Sequence, residues 1–152
     1  MNPLFLGGWR HVADDVRRLT KGLSALPDAC TCGRVGNGCP DCEAQLGSIR
    51  DDVDELVDAT LRFLPFVESQ AEVAGDTRGS EGVRDLRRQV WSVAQVADRQ
   101  ESAAGECRTG CGASHADGIR ALASELAVTT TALDVHLRMT SAVTTPSRVA
   151  GG

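Results

Sequence analysis

The sequence contains no tyrosine, and aromatic residues make up only 3% of its 152 residues. Because aromatic side chains are enriched in β-strands, this shortage disfavours a β-sandwich and favours a core of Leu, Val and Ala packed between helices. An excess of positive charge is also missing, since the formal net charge is -5 and the pI is about 5.1. A nucleic-acid partner is therefore possible but disfavoured by net charge, and a protein partner or self-association is favoured.

Long apolar runs are missing as well. No window approaches the roughly 18 apolar residues of a membrane span, so no membrane contact is expected. Residues 1–9 have no basic segment, and glycines interrupt their apolar run, unlike a signal peptide. We therefore expect a cytoplasmic protein, virion-associated if it is phage-encoded. Cytoplasmic thiols stay reduced, so the six cysteines suggest metal binding.

Apolar residues recur at intervals of three and four in four segments, the period of one face of a helix. The first stripe is ended by Pro27, and the second begins near Glu43, with a kink or restart expected near Leu64 because of Pro65. Ser80 is the predicted N-cap of the third helix. The predicted core stripes are Trp9, Val12, Val16, Leu19, Leu23 and Leu26; Leu46, Ile49, Val53, Leu56, Phe63 and Val67, widened by Val57, Leu61 and Leu64; Val83, Leu86, Val90, Val93 and Ala97; and Ile119, Leu122, Leu126, Leu133 and Leu137.

Short connections between four such helices predict an all-α fold, an up-down-up-down four-helix bundle. In this topology the first and third connections lie at one end, so two Cys-rich inter-helix loops should meet there. The fourth helix is predicted to end near Ser141. We expect a single metal-braced helical bundle domain over residues 1–143 and a flexible C-terminal tail over residues 144–152.

The first connection contains the chemically most specific pattern in the chain. Cys30-x-Cys32 and Cys39-Pro-x-Cys42 are two close thiol pairs separated by a segment that contains glycines. Two thiolates from each of two tight turns can converge on a tetrahedral zinc ion at roughly 2.3 Å. These four cysteines are the predicted ligands of one structural zinc.

The second connection adds Cys107, Cys111 and His115, two thiols and an imidazole spaced four residues apart. They supply three of the four ligands that a tetrahedral zinc needs. If the two loops meet, the zinc sites could be separate, could share a bridging thiolate, or could be a single site with ligands from both loops. One zinc is expected and two are possible.

Other uses of the cysteines remain open. Disulfides between the loops fit a protein that works outside the cytoplasm or in a virus particle. An iron–sulfur cluster is a further alternative, although the spacing lacks the ferredoxin pattern. A zinc with an open fourth position near His115 would be the catalytic kind, but no His-x-Glu arrangement accompanies it. We therefore predict no enzymatic activity.

The cysteine pattern of the first connection resembles the double knuckle of a zinc ribbon. Arginine supplies almost all the positive charge, Lys21 is the only lysine, and Ala, Val, Asp and Gly are abundant. Together with the Cys-rich inter-helix loop, this composition resembles small Cys-rich helical proteins of actinobacteria and their phages. The first resemblance implies metal binding and the second implies a phage or bacterial source.

These observations predict a non-enzymatic zinc-binding interaction or assembly protein, which would be a structural accessory if the gene belongs to a phage or prophage. One alternative is a zinc-dependent regulator that contacts nucleic acid through Arg34, Arg108 and the helix arginines. Another is a thiol-based redox or metal sensor, in which oxidation of the cysteines releases the metal.

Overall fold

The computed structural model describes residues 3–25, 36–37, 40–103, 106–107 and 117–150. The elements in chain order are α1 (Pro3–Ser24), β1 (Gly36–Asn37), α2 (Pro40–Val73), α3 (Thr77–Ala103), β2 (Glu106–Cys107) and α4 (Asp117–Ala150). Each helix packs against the next, and α4 closes the bundle against α1. The predicted all-α, up-down-up-down four-helix bundle is confirmed. Among the described helices, none has a segment with the length and hydropathy of a membrane span.

The core lies along the axis of the bundle and follows the predicted apolar stripes. The stripe residues buried in the structure are Trp9, Val12, Val16, Leu19, Leu23, Ile49, Val53, Leu56, Leu64, Val67, Val83, Leu86, Val90, Val93, Ala97, Ile119, Leu126, Leu133 and Leu137. Leu61 is an exception, because its side chain is 63% exposed. Its assignment to the core was wrong, since α2 turns this residue towards the outer surface between α2 and α3.

Helix α2 continues through Pro65, so of the kink or restart predicted near Leu64 the restart was wrong, and the kink stays a prediction. Pro65 lies on the exposed side of the helix, while Leu64 and Val67 beside it are completely buried. Proline removes one backbone donor and crowds the preceding turn. Tertiary packing of the apolar face on both sides of Pro65 compensates, because packing supplies most of the stability of helices in proteins.

The turn between α2 and α3 has the hydrogen bonds of a Schellman motif. Gly75, with φ of 72°, donates its N–H to the carbonyl of Glu72 at 3.0 Å, and Asp76 donates to Ala71 at 2.8 Å. The Asp76 carboxylate then accepts the backbone N–H of Gly79 at 2.9 Å. Asp76 is therefore the N-cap of α3.

The predicted N-cap, Ser80, lies one turn inside α3. Its hydroxyl donates to the carbonyl of Thr77 at 3.1 Å instead of accepting a free N–H. The helix starts earlier than the apolar stripe because Asp76 already satisfies its first donors. Helix α4 extends to Ala150, beyond the predicted end near Ser141, so the backbone of residues 144–150 is helical.

A two-residue antiparallel pairing joins the two long connections of the bundle. Gly36 of β1 pairs with Cys107 of β2, and Asn37 pairs with Glu106. Strand β1 lies between α1 and α2, and β2 lies between α3 and α4. The prediction that both Cys-rich connections lie at the same end of the bundle is therefore confirmed.

Candidate functional site

The β1–β2 pair is the structural centre of the predicted metal site. Gly36 lies in the sequence between Cys32 and Cys39, and it pairs directly with Cys107. Directly opposed residues of antiparallel strands have Cα atoms about 4.5–5.5 Å apart. The backbone of Cys107 therefore lies beside the middle of the first cysteine loop.

Two of the seven predicted ligands lie in elements that the structure describes. Cys42 is in the first turn of α2 and Cys107 is in β2, and their side chains are outside the description. The other five lie outside the described residues; they are Cys30, Cys32, Cys39, Cys111 and His115. Among the side chains that are described, no group of three or more His, Cys, Asp or Glu residues could hold a metal ion. The zinc ligands remain a prediction from spacing and topology.

A second candidate site is a groove of about 680 Å³ on the outer surface between α2 and α3, called here the α2–α3 groove. Its lining residues are Val57, Thr60 and Leu61 from α2 and Arg84, Arg87, Arg88, Val90, Trp91 and Ser92 from α3. Its volume falls within the range of pockets that bind small molecules. Among the described residues, three arginines and no acidic residue line it, although the chain as a whole carries a net charge of -5.

Ion pairs between α2 and α3 lie beyond one end of the apolar part of this groove. There, the carboxylate of Glu68 accepts from Arg84 at 2.6 Å and from Arg87 at 2.7 Å. The Glu68 and Glu72 carboxylates raise the pKa of Arg84 through their hydrogen bonds. These bonds hold two of the lining arginines against α2.

The other end, towards the β1–β2 pair, is crossed by an ion pair of 2.9 Å between Arg50 and Asp98. Arg88 is held differently from the other lining arginines, because it pairs with Asp85 on its own helix. Its side chain is 77% exposed. The groove is thus a short apolar segment between two charged clusters, with one arginine at its rim that is not tied to α2.

The floor of the groove contains an unsatisfied polar group. Thr60 is 5% exposed, and its hydroxyl has no hydrogen-bond partner within the described structure. Beside it, Leu61 and Trp91 are 63% and 56% exposed. Trp91 follows the predicted stripe residue Val90 directly, but it is not buried with that stripe. A signal was available, because Trp91 follows Arg87 by four residues and so continues the row of arginines on α3.

The outer face of α4 differs from the other helix surfaces in its lack of charge. Its exposed positions include Val128, Val135 and Met139. Glu125 and Arg138 are the only charged residues among the exposed positions of α4 from 118 to 139. We call this surface the α4 face. This surface was not predicted from the sequence, although valine and methionine at seven- and four-residue intervals were the available signal.

Two carboxylates between α1 and α2 are buried or half-buried. Nearby positive charges and hydrogen bonds do not fully offset the cost of burying their negative charge. Burial raises the pKa of Asp15 above its ordinary 3.8, against the lowering effect of the His11 and Arg18 charges. Burial likewise raises the pKa of Asp52. One Asp15 oxygen has no hydrogen-bond partner in the described structure. These groups are costly in their ionised form and form no metal cluster among the described side chains.

The carboxylate of Asp76, by contrast, is stabilised in its ionised form and lies at the end of the bundle opposite the cysteine loops. Burial alone would raise the pKa of Asp76, but the Gly79 N–H and His136 together lower it. The His136 Nε2 lies 2.8 Å from an Asp76 oxygen, which ties α4 to the turn between α2 and α3. His136 therefore has a structural contact, and the sequence had assigned it no function.

Comparisons of this chain with protein-family models, with curated proteins and with solved structures give no match.

Proposed function

We propose that this chain is a non-enzymatic zinc-binding interaction or assembly protein. The observation that supports this best is the antiparallel pairing of Gly36 with Cys107, which joins the two cysteine-containing connections. A metal bound at this place would link the α1–α2 hairpin to the α3–α4 hairpin. Zinc would then stabilise the end of the bundle that is farthest from the turn at Gly75.

The donor set fits zinc. Thiolates and imidazole are its preferred protein ligands, and closed tetrahedral sites of this kind are structural. The four cysteines of the first loop would hold one ion, and Cys107, Cys111 and His115 would contribute to the same ion or to a second one. Because metal binding requires deprotonated ligands, the affinity should fall as the pH is lowered.

The interaction surface that we propose is the α4 face, and its proposed partner is a second copy of the chain. The exposed positions are symmetric about the point between Thr131 and Ala132, with Val128 matching Val135 and Ser124 matching Met139. Two antiparallel copies of α4 related by a two-fold axis at that point would bring these residues together. Such a contact is isologous, the commonest kind in soluble homo-oligomers.

The residues at the centre of this contact allow the two copies of α4 to approach each other closely. Ala132 is small, and the Thr131 hydroxyl already donates to the carbonyl of Ala127 at 2.9 Å, so it needs no partner across the contact. The two charged residues of the face, Glu125 and Arg138, have opposite signs. Two copies therefore bring no net charge together, although each chain carries -5 overall.

Native mass spectrometry with elemental analysis tests the zinc proposal. We expect one or two zinc ions per chain, lost with a chelator, and a lower unfolding temperature after their removal. Replacing Cys39 and Cys42 by serine should abolish the binding of at least one ion. A metal-free chain lighter by two hydrogens per cysteine pair would show disulfides and overturn the proposal.

Sedimentation equilibrium tests the α4 contact. We expect a monomer–dimer equilibrium that Val135→Glu shifts at least 10-fold towards monomer, since it buries an unpaired charge in the contact. Val73→Glu is the matched control, because Val73 is an exposed valine on another helix and is 82% exposed. A monomer at all concentrations, or equal effects of the two variants, would contradict self-association through α4.

A further inference from the structure

We propose that the α2–α3 groove binds a small amphipathic organic anion, with its apolar body against Leu61 and Trp91 and its carboxylate held by Arg88. This site is separate from both the cysteine loops and the α4 face. Three independent features of the groove support it: its apolar walls, its cationic rim and the unsatisfied hydroxyl at its floor.

The walls of the groove supply the apolar contact. Leu61 and Trp91 come from different helices and both expose more than half of their surface. The other tryptophan, Trp9, is 1% exposed, so the chain buries this residue type completely where packing is available. A ligand between Leu61 and Trp91 would remove apolar surface from water, a gain of roughly 25 cal/mol for each Å².

The rim selects negative charge. The described lining side chains include Arg84, Arg87 and Arg88 and no carboxylate. Arg84 and Arg87 are held by Glu68, whereas the partner of Arg88 in the described part of the chain is exposed Asp85 in the same helix. Exchanging an exposed partner of this kind costs little, because such ion pairs contribute about 0–1 kcal/mol. The Arg88 guanidinium is therefore the one available to a carboxylate.

Thr60, beneath the groove, carries a hydroxyl that becomes available to a ligand oxygen when the side chains above it move apart. The Thr60 hydroxyl is buried and unpartnered in the described structure, which is costly for a polar group. A ligand oxygen that reached it would satisfy this donor. A threonine at a merely packed position in a helix normally returns its hydroxyl to a carbonyl four residues earlier, as Thr130 does with Leu126 at 2.7 Å.

The volume of the groove, about 680 Å³, lies in the range of pockets that bind small molecules. Its lining residues cover about 6 Å of α2, from Val57 to Leu61, and about 12 Å of α3, from Arg84 to Ser92. A small molecule fits this volume, and binding of a peptide helix instead is an outcome that the titration distinguishes.

Titration of the full chain with decanoate below its micelle concentration tests the proposal, with Trp91 fluorescence as the readout. We expect a saturable change in emission that is absent in Trp91→Phe, and much weaker binding of decyl alcohol, which has the same chain without the charge. Arg88→Gln should weaken decanoate binding about 3- to 10-fold. Arg10→Gln, an exposed arginine on α1, should leave it unchanged.

Thr60→Val provides a second test that does not involve charge. It keeps the shape of the side chain and should weaken decanoate binding about 3- to 5-fold, while circular dichroism shows an unchanged fold. The proposal is overturned if decanoate gives no saturable signal up to millimolar concentration, or if decyl alcohol binds equally well. Binding of an acidic amphipathic peptide without any binding of decanoate would also overturn it.

Discussion

Tryptophan and threonine differ in burial or in hydrogen bonding between the α1–α4 side and the α2–α3 side of this bundle. On the first side Trp9 is buried, and its indole N–H donates to Asp134 at 2.8 Å. On the second side Trp91 is half exposed above the groove. Thr130 on the first side has a partner for its hydroxyl, whereas Thr60 on the second side has none in the described structure.

The contrast indicates that one side of the bundle serves its stability and the other side is suited to binding. Buried polar groups that are fully hydrogen-bonded specify a single packing, whereas unsatisfied ones are costly. The α1–α4 side has the first kind, so substitutions there should lower stability. The α2–α3 side has the second kind beside exposed apolar surface, so substitutions there should change binding more than stability.

The largest expected effect is that of removing Trp9. Trp9→Ala should lower the free energy of unfolding by about 3–5 kcal/mol, because it leaves a large cavity and removes the indole donor of Asp134 Oδ1. Trp91→Ala should cost less than about 1 kcal/mol, since about half of that ring is already in water. Urea unfolding of the two variants measures both effects. Equal losses of the free energy of unfolding would contradict the distinction between the two sides.

The periodicity of the sequence predicts most of this core, because each helix buries one apolar stripe. It places Trp9 correctly, since Trp9 begins a stripe that continues through Val12 and Val16. It fails for Trp91 and Leu61, which lie next to stripe residues in sequence. At the border of a stripe the burial of a side chain depends on how the neighbouring helix is rotated, and a single-helix pattern does not contain that information.

The next effect, in order of size, concerns two adjacent glycines of α1. A Cβ on Gly8 would lie 2.9 Å from Cδ1 and 3.2 Å from Cβ of Phe63, whereas a Cβ on Gly7 would have open space. Gly8→Ala should therefore cost about 1–3 kcal/mol through overpacking of α1 against α2. Gly7→Ala should stabilise by up to about 1 kcal/mol through helix propensity.

Thermal and urea unfolding of the two glycine variants measure this difference. The same substitution at neighbouring positions cancels most effects on the unfolded state. A stabilising Gly8→Ala would mean that Phe63 can move away freely. The close α1–α2 packing described here would then be wrong.

A smaller effect is expected from Asp134, the partner of Trp9. Burial alone would raise the pKa of Asp134, but the Trp9 N–H and the Arg138 guanidinium hold it below its ordinary 3.8. A carboxyl whose folded pKa is lowered stabilises the protein above its unfolded pKa, and this stability is lost as the pH falls through the folded pKa. Asp134→Asn should therefore cost about 1 kcal/mol at neutral pH.

The pH dependence distinguishes this effect from simple packing. The stability difference between the wild type and Asp134→Asn should be constant above about pH 5 and shrink as the pH falls below 3.8. Asp58→Asn is the control, because Asp58 pairs with Arg62 on an exposed helix surface. A difference that did not change with pH would show that the charge of Asp134 contributes nothing.

The candidate sites were less predictable than the core. Sequence spacing indicated the cysteine loops, and bundle topology indicated that they meet, which the pairing of Gly36 with Cys107 bears out for the backbone. The α2–α3 groove was not predicted, because it depends on which side chains two helices leave uncovered. The sequence shows that Arg84 and Arg88 lie on the same helix as Trp91, but their position beside it at the groove requires the packed structure.

The smallest expected effect on stability is that of replacing the buried threonines Thr60 and Thr130. Thr60→Val should leave the free energy of unfolding unchanged or raise it by up to about 1 kcal/mol, because it removes a hydroxyl that has no partner in the described structure. Thr130→Val should lower it by about 1 kcal/mol, because that hydroxyl donates to the carbonyl of Leu126. Urea unfolding of both variants at one pH shows whether each substitution raises or lowers the free energy of unfolding. If Thr60→Val were the more destabilising of the two, its hydroxyl would have a structural partner, and the α2–α3 groove would lose the donor that it offers to a ligand.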